Sequence, residues 1–156
     1  MRSLLLLIGF FVTLSVSARP EPEVKLSPEE KRILELTNAE REKAKLPALK
    51  PNPLLMDAAR AHTANMATTG RLDHTLDNET PADRLKKRGY AYARYGENIA
   101  SGEDSKPEDL FRVWMESPPH KANLLNGDYS EIGLGWVKPA TGSSYATQVF
   151  GKPSGK

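Results

Sequence analysis

The chain has 156 residues, 22 Lys and Arg against 20 Asp and Glu, and no cysteine. That length fits one domain with a core that needs no metal or disulfide staple. The missing cysteines exclude a disulfide scaffold, an Fe–S cluster, a thiolate zinc site, a Cys nucleophile and a lipid-modified N-terminal Cys, and the near-balanced charge offers no basic field for nucleic acid.

The N-terminus reads as a targeting segment. Met1-Arg2 supplies a positive start, and Leu4–Leu14 is an apolar run broken only by Gly9 and Thr13. Val16 and Ala18 precede Arg19 in the pattern of a signal-peptidase site. The run falls short of the about 20 apolar residues that span a bilayer. Residues 1–18 are therefore expected to be a cleaved signal peptide, with an uncleaved anchor as the alternative. Export to the extracellular or periplasmic space follows, with no membrane span after cleavage. Residues 19–26 are proline-rich and charged, a flexible lead-in. The domain is expected over residues 27–152, with 153–156 as a tail.

Helix starts are written in the sequence. Ser27-Pro28-Glu29-Glu30 carries an N-cap, a proline at the first helical position and an acid at the third; this helix is expected to run to about Lys45. Asn52-Pro53 opens a second helix, with Leu55, Ala59, His62 and Met66 on one face and Gly70 as its stop. Thr80-Pro81 caps a short third helix, Ala82–Arg88, closed by Gly89. Ser105–Ser117 reads as a fourth, with Leu110, Val113, Trp114 and Ser117 on one side, stopped by Pro118-Pro119.

Glu131–Val137 and Tyr145–Gly151 are β-rich and joined by a Pro/Gly/Ser turn, and Gly96–Ser101 is a third strand. Helices first and a meander of strands afterwards predict an α+β fold, with helices packed on an antiparallel sheet. Trp114, Tyr129, Tyr145 and Phe150 are expected to pack the fourth helix against that sheet. Asn38 and Arg41, three apart on the first helix, read as loop braces, with a carboxylate as a possible partner for Arg41.

Three histidines are available for chemistry: His62, His74 and His120. His62 lies on an apolar helical face and reads as a core residue hydrogen-bonded to backbone. His74 sits in a polar loop where packing does not demand it. Glu97 follows Gly96, which permits close backbone approach, and an acid then Asn at a strand start is an odd choice for β-propensity alone. His120 follows two prolines expected to hold the backbone extended. No zinc-protease, serine-hydrolase, P-loop or dinucleotide motif occurs, and spacing alone does not bring His74, Glu97 and His120 together.

Taken in order, Leu36–Arg41, Leu54–Met66, Asp73-His74-Thr75, Gly96–Ala100, Trp114–Leu125, Tyr129–Gly135 and Tyr145–Gly151 resemble the CAP superfamily, also called the SCP-like or sperm-coating-protein domain, in its bacterial secreted form. The resemblance covers about Ser27 to Gly151. It implies an α–β–α sandwich, a small antiparallel sheet between helices, with a central cleft. In animal members that cleft holds two His and two Glu, and some bind a divalent ion there. His74 matches the first His and Glu97 the Glu of the Gly-Glu-Asn motif. The second Glu would fall near Ser117 and the second His near Ser144; bacterial members instead carry a His after Ser-Pro-x, here His120. The implied cleft is thus His74, Glu97 and His120, with Ser117 and Gln148 as polar neighbours and His74, His120 and Glu97 as the metal-ligand set. The missing His and Glu weaken the case for four-ligand metal binding.

The function expected on this reading is that of a secreted binding module. Its cleft would hold a divalent cation such as zinc and through it a small-molecule, lipid or carbohydrate ligand. The alternative is a metal-dependent, peptidase-like hydrolase acting on an envelope or extracellular substrate. That reaction would need a further base, for which Glu116 and Glu131 are the unplaced candidates. No catalytic residue is specified, and a non-enzymatic role is preferred.

Overall fold

Every helix in the described part of the chain begins at a proline. The computed structural model describes residues 24–155, so the expected signal peptide and most of the lead-in lie outside the described residues. The helices are α1 (Pro28–Lys43), α2 (Pro53–Thr69), α3 (Pro81–Lys87), α4 (Pro107–Glu116) and α5 (Pro118–Leu124). Proline suits this position because the first helical N–H has no intrahelical acceptor and the ring presets φ. Ser27 and Thr80 complete capping boxes with Glu30 and Asp83, and Asn52 accepts from the Leu54 and Leu55 amides. Gly70 ends α2 in the left-handed conformation.

Two expectations are corrected here. Lys106-Pro107, not Ser105, starts α4. Pro118-Pro119 does end α4, but the same dipeptide opens α5, so His120 is helical rather than extended. Ser117 is both the last cap of α4 and the first cap of α5.

The strands are β1 (Lys50–Pro51), β2 (Tyr92–Glu103), β3 (Glu131–Val137) and β4 (Ser143–Pro153), in the spatial order β1-β3-β4-β2. β2, β4 and β3 form the expected antiparallel sheet. β1, which has no sequence signal, adds a two-residue parallel ladder on β3. β2 and β4 both run past the expected ends.

Helices cover both faces of the sheet, and period-two alternation along β4 sorts the core. Val149 faces the α2 side with Leu55, Ala59 and Leu85, and the Thr147 hydroxyl accepts from Thr63 of α2 at 2.7 Å. Ala146 and Phe150 face the other side with Ile33, Leu110, Trp114, Ile132 and Leu134. Trp114, Tyr129 and Phe150 join that cluster as expected, with Tyr129 stacked on Phe150. Tyr145 does not: its odd register sends it to the α2 face, against Met66, Leu76 and Ile99. Gly133 and Gly135 let α2 lie directly on β3. A Cβ at Gly133 would run into the Leu55 carbonyl, and one at Gly135 would sit 2.6 Å from the Ala59 oxygen.

Asn38 braces Leu49 through both its backbone N–H and C=O. Arg41 is fully buried and meets no carboxylate among the described residues. It donates to the carbonyls of Pro47, Leu124, Asn126 and Tyr129, tying α1 to the chain after α5. A planar guanidinium serves because it offers several donors in fixed directions. Among the described residues, no helix is long and apolar enough to cross a membrane.

Candidate functional site

β2 is an edge strand of the sheet, and Glu97 sits on it opposite Val149 of β4, hence on the α2 side. Its side chain is only 3% exposed. One oxygen, Oε1, lies 2.8 Å from His74 Nδ1, and the other accepts from Arg84 Nη2 at 2.7 Å. Arg84 is itself buried and also donates to the carbonyls of His74 and Glu79. The 74–79 loop is therefore anchored twice, by its carbonyls on Arg84 and by the His74 ring on Glu97. The His74 side chain remains 48% exposed, so the carboxylate holds one edge of the ring while much of the ring faces solvent.

His62 joins this cluster from α2. It is buried, as its apolar helical face implied. Among the described residues its Nε2 has no hydrogen-bond partner, and it stands 3.9 Å from Glu97 Oε1. Burial pushes the His62 imidazole below its ordinary range; the Glu97 charge opposes this, and Arg84 and His74 add to it. A neutral ring is the physical consequence, since desolvation penalises the charged form.

His120 lies in the first turn of α5 and is half-buried, with Nδ1 lacking a partner among the described residues. Asn98 Nδ2 donates to its carbonyl at 3.0 Å, which fixes the start of α5 against β2. Burial lowers its pKa, and the charge of His74 lowers it further. Asn123 of α5 donates to the Glu97 carbonyl and to Asn98 Oδ1, sealing the free edge of β2.

The two polar neighbours have other surroundings. Gln148 is fully buried, accepts from Asn98 and donates to Thr37 of α1, forming an interior network across the sheet. Ser117 is the junction residue between α4 and α5 and makes no side-chain capping bond. Ser144, where a second His would fall, donates to the Ser105 carbonyl.

Sequence reasoning missed Arg84 and assigned His62 to the core alone. The signal for Arg84 was weak: one base in the run Arg84-Leu85-Lys86-Lys87-Arg88 reads as an ordinary solvated helix face. Only the fold shows that it turns inward.

A three-ligand metal centre on His74, Glu97 and His120 does not fit this arrangement. Both Glu97 oxygens are engaged, one by a guanidinium whose positive charge repels a cation. Among the described residues, no group of three or more His, Asp or Glu side chains has the geometry to hold a metal ion.

Residues 34–150 match the model of the cysteine-rich secretory protein family, CAP. The chain belongs to that family. This CAP domain is 39% identical over 124 residues to the YkwD protein of Bacillus subtilis (strain 168), covering 79% of the chain but 47% of that relative. It is also similar to a Borreliella burgdorferi protein, 29% identical over 125 residues, with 80% of this chain and 79% of the relative covered. Among solved structures, an outer surface protein from Borrelia burgdorferi superposes with a TM-score of 0.77 at 24% identity, covering 84% of this chain and 97% of that one. An extracellular SCP-domain protein from Bacillus anthracis gives 0.71 at 26% identity, covering 83% of this chain and 45% of that one. The chain thus spans less than half of the YkwD protein and of the B. anthracis protein. The CAP fold and the mixed helix–sheet architecture implied by the motifs are those observed.

Proposed function

We propose that this CAP domain works outside the cell as a binding module and that its ligand meets the outward edge of His74. The observation that carries the reading is the His74–Glu97 pair. A carboxylate buried among protein atoms and braced by Arg84 holds one nitrogen of a half-exposed imidazole at 2.8 Å. Such an anchor sets the tautomer and aim of the ring, leaving Nε2 for an incoming group. Export is supported by the apolar run and cleavage-site pattern of residues 1–18 and by relatives described as extracellular or outer-surface proteins.

A divalent cation such as zinc is a natural probe of the cleft. We take the imidazole nitrogens of His74 and His120 as the donors such a cation would meet, with Glu97 standing behind His74 as an orienting group. Carboxylates in that outer position are worth about 10–100-fold in metal affinity. Zinc titration of wild type, His74→Ala and Glu97→Gln tests this: His74→Ala removes binding, whereas Glu97→Gln weakens it by about 10-fold without abolishing it. Zinc binding that survives His74→Ala sinks the assignment. Affinity should fall between about pH 7 and pH 5, because the donors must be neutral.

The peptidase-like alternative draws less support. It needs a base or nucleophile beside the imidazoles. Glu131 is committed to the Tyr90 hydroxyl at 2.6 Å, and Glu116 lies exposed on α4.

A further inference from the structure

A cavity away from His74 opens over tyrosines that a strand irregularity brings together. Its volume is about 380 Å³, and it is lined by Lys86, Gly89, Tyr90, Ala91, Tyr92 and Ser154. The ladder between β2 and β4 slips between Tyr92 and Arg94, leaving Ala93 as an extra residue. In an unbroken strand, residues three apart point to opposite faces. The bulge cancels one step, so Tyr92 and Tyr95 lie on one side with ring centroids 4.8 Å apart in an edge-on contact. Bulges re-aim side chains in this way.

Tyr92 is then clamped from two directions. Tyr90 stacks on it at 6.5 Å with an interplanar angle of 19°. Tyr90 is itself 5% exposed and anchored by its hydroxyl on Glu131. The residue after β4 borders the cavity, with Ser154 N–H donating to the Ala91 carbonyl. Tyr92 and Tyr95 are both half-buried, and of these two Tyr92 lines the cavity. It is a flat ring with little rotamer freedom left to lose on binding, the kind of anchor that recognition surfaces favour.

The cavity's chemistry narrows the occupant. The rings are too close to take a guest between them, since two contacts of about 3.5–4.0 Å would need a wider gap. A ligand would rest against the half-exposed side of Tyr92 that lines the cavity, not insert as a proline does between parallel aromatics. Lys86 supplies a cation at the rim, and no ion pair engages it among the described residues. A ring with apolar C–H groups on one face and an anionic substituent matches both the aromatic surface and the cation.

The geometry points to a saccharide-binding subsite on Tyr92 that takes a carboxylate-bearing sugar, with Lys86 receiving the carboxylate. It is independent of the His74 cleft.

Titration of the full domain with trigalacturonic acid, followed by backbone amide shifts in NMR, tests it, with maltotriose as the uncharged control. The expected result is saturable shifts at Gly89–Tyr95 with the acidic sugar. Tyr92→Ala should weaken binding at least 10-fold while Tyr92→Phe retains it, which separates loss of the platform from loss of fold. Lys86→Gln should reduce affinity for the acidic sugar several-fold and leave maltotriose unaffected. His74→Ala should change nothing here, so this subsite and the cleft stand or fall separately. No saturable shift with either sugar, or equal binding by Tyr92→Ala, overturns the proposal. Tighter binding of an acidic proline-rich peptide at the same amides would replace the saccharide with a peptide and overturn it as well.

Discussion

His74 and Glu97 lie 23 residues apart in the chain and 2.8 Å apart in space, on a loop and on an edge strand that Arg84 ties together. The carboxylate carries both the aim of the imidazole and the charge that makes a buried arginine tolerable. The site and the local stability are thus one construction.

Glu97→Gln should destabilise the domain by about 3 kcal/mol, because removing one partner of a buried ion pair leaves the other charge uncompensated. Arg84 keeps its carbonyl acceptors, which holds the loss at the lower end of that range. Urea unfolding of wild type and variant measures it. A loss within error of zero would show that the pair is not buried in solution.

Arg41→Lys should cost about 3 kcal/mol or more. The substitution retains charge but cannot reach four carbonyls at once, and buried acceptors left open are expensive. Far-UV CD during denaturation reads the change. A near-neutral result would contradict the role of Arg41 as the tie between α1 and the 124–129 segment.

Stability should fall on acidification below neutrality. The His62 and His120 pKa values are lowered by burial in the folded state, so the unfolded chain binds more protons as pH drops through about 6.5. The stability that neutral rings contribute is complete above that value and lost as pH falls through the folded values. The melting temperature should therefore decline from pH 7 to pH 5, and His62→Gln should flatten the decline. An unchanged slope in that variant would remove His62 from the account.

Gly133→Ala should abolish folding or cost at least about 3 kcal/mol, beyond the usual overpacking range, because the new methyl meets the Leu55 backbone and not a side chain that can turn away. Gly142→Ala, where a Cβ meets nothing, pays only for its positive φ and should cost less than half as much. Equal losses would mean that α2 does not lie on β3 as closely as described.

Local chemistry made much of the fold legible in the residues alone. Ser27-Pro28, Asn52-Pro53 and Thr80-Pro81 announce helix starts because capping and proline geometry act within four residues. β3 and the core of β4 follow from β-branched and aromatic runs bounded by turns. Motif order made the CAP family readable, and with it the pairing of His74 with Glu97. Nothing local marks β1, whose two residues are a strand only because β3 lies beside them. Nor could Pro118-Pro119 show by itself that the break after α4 is also the start of α5. The inward turn of Arg84, the reach of His62 toward Glu97 and the placement of Gln148 in an interior network were decided by tertiary packing. Side-chain type limits what a group can do, but which neighbours shield it from water and which charges face it exist only once distant segments meet, and those neighbours set the chemistry of the site.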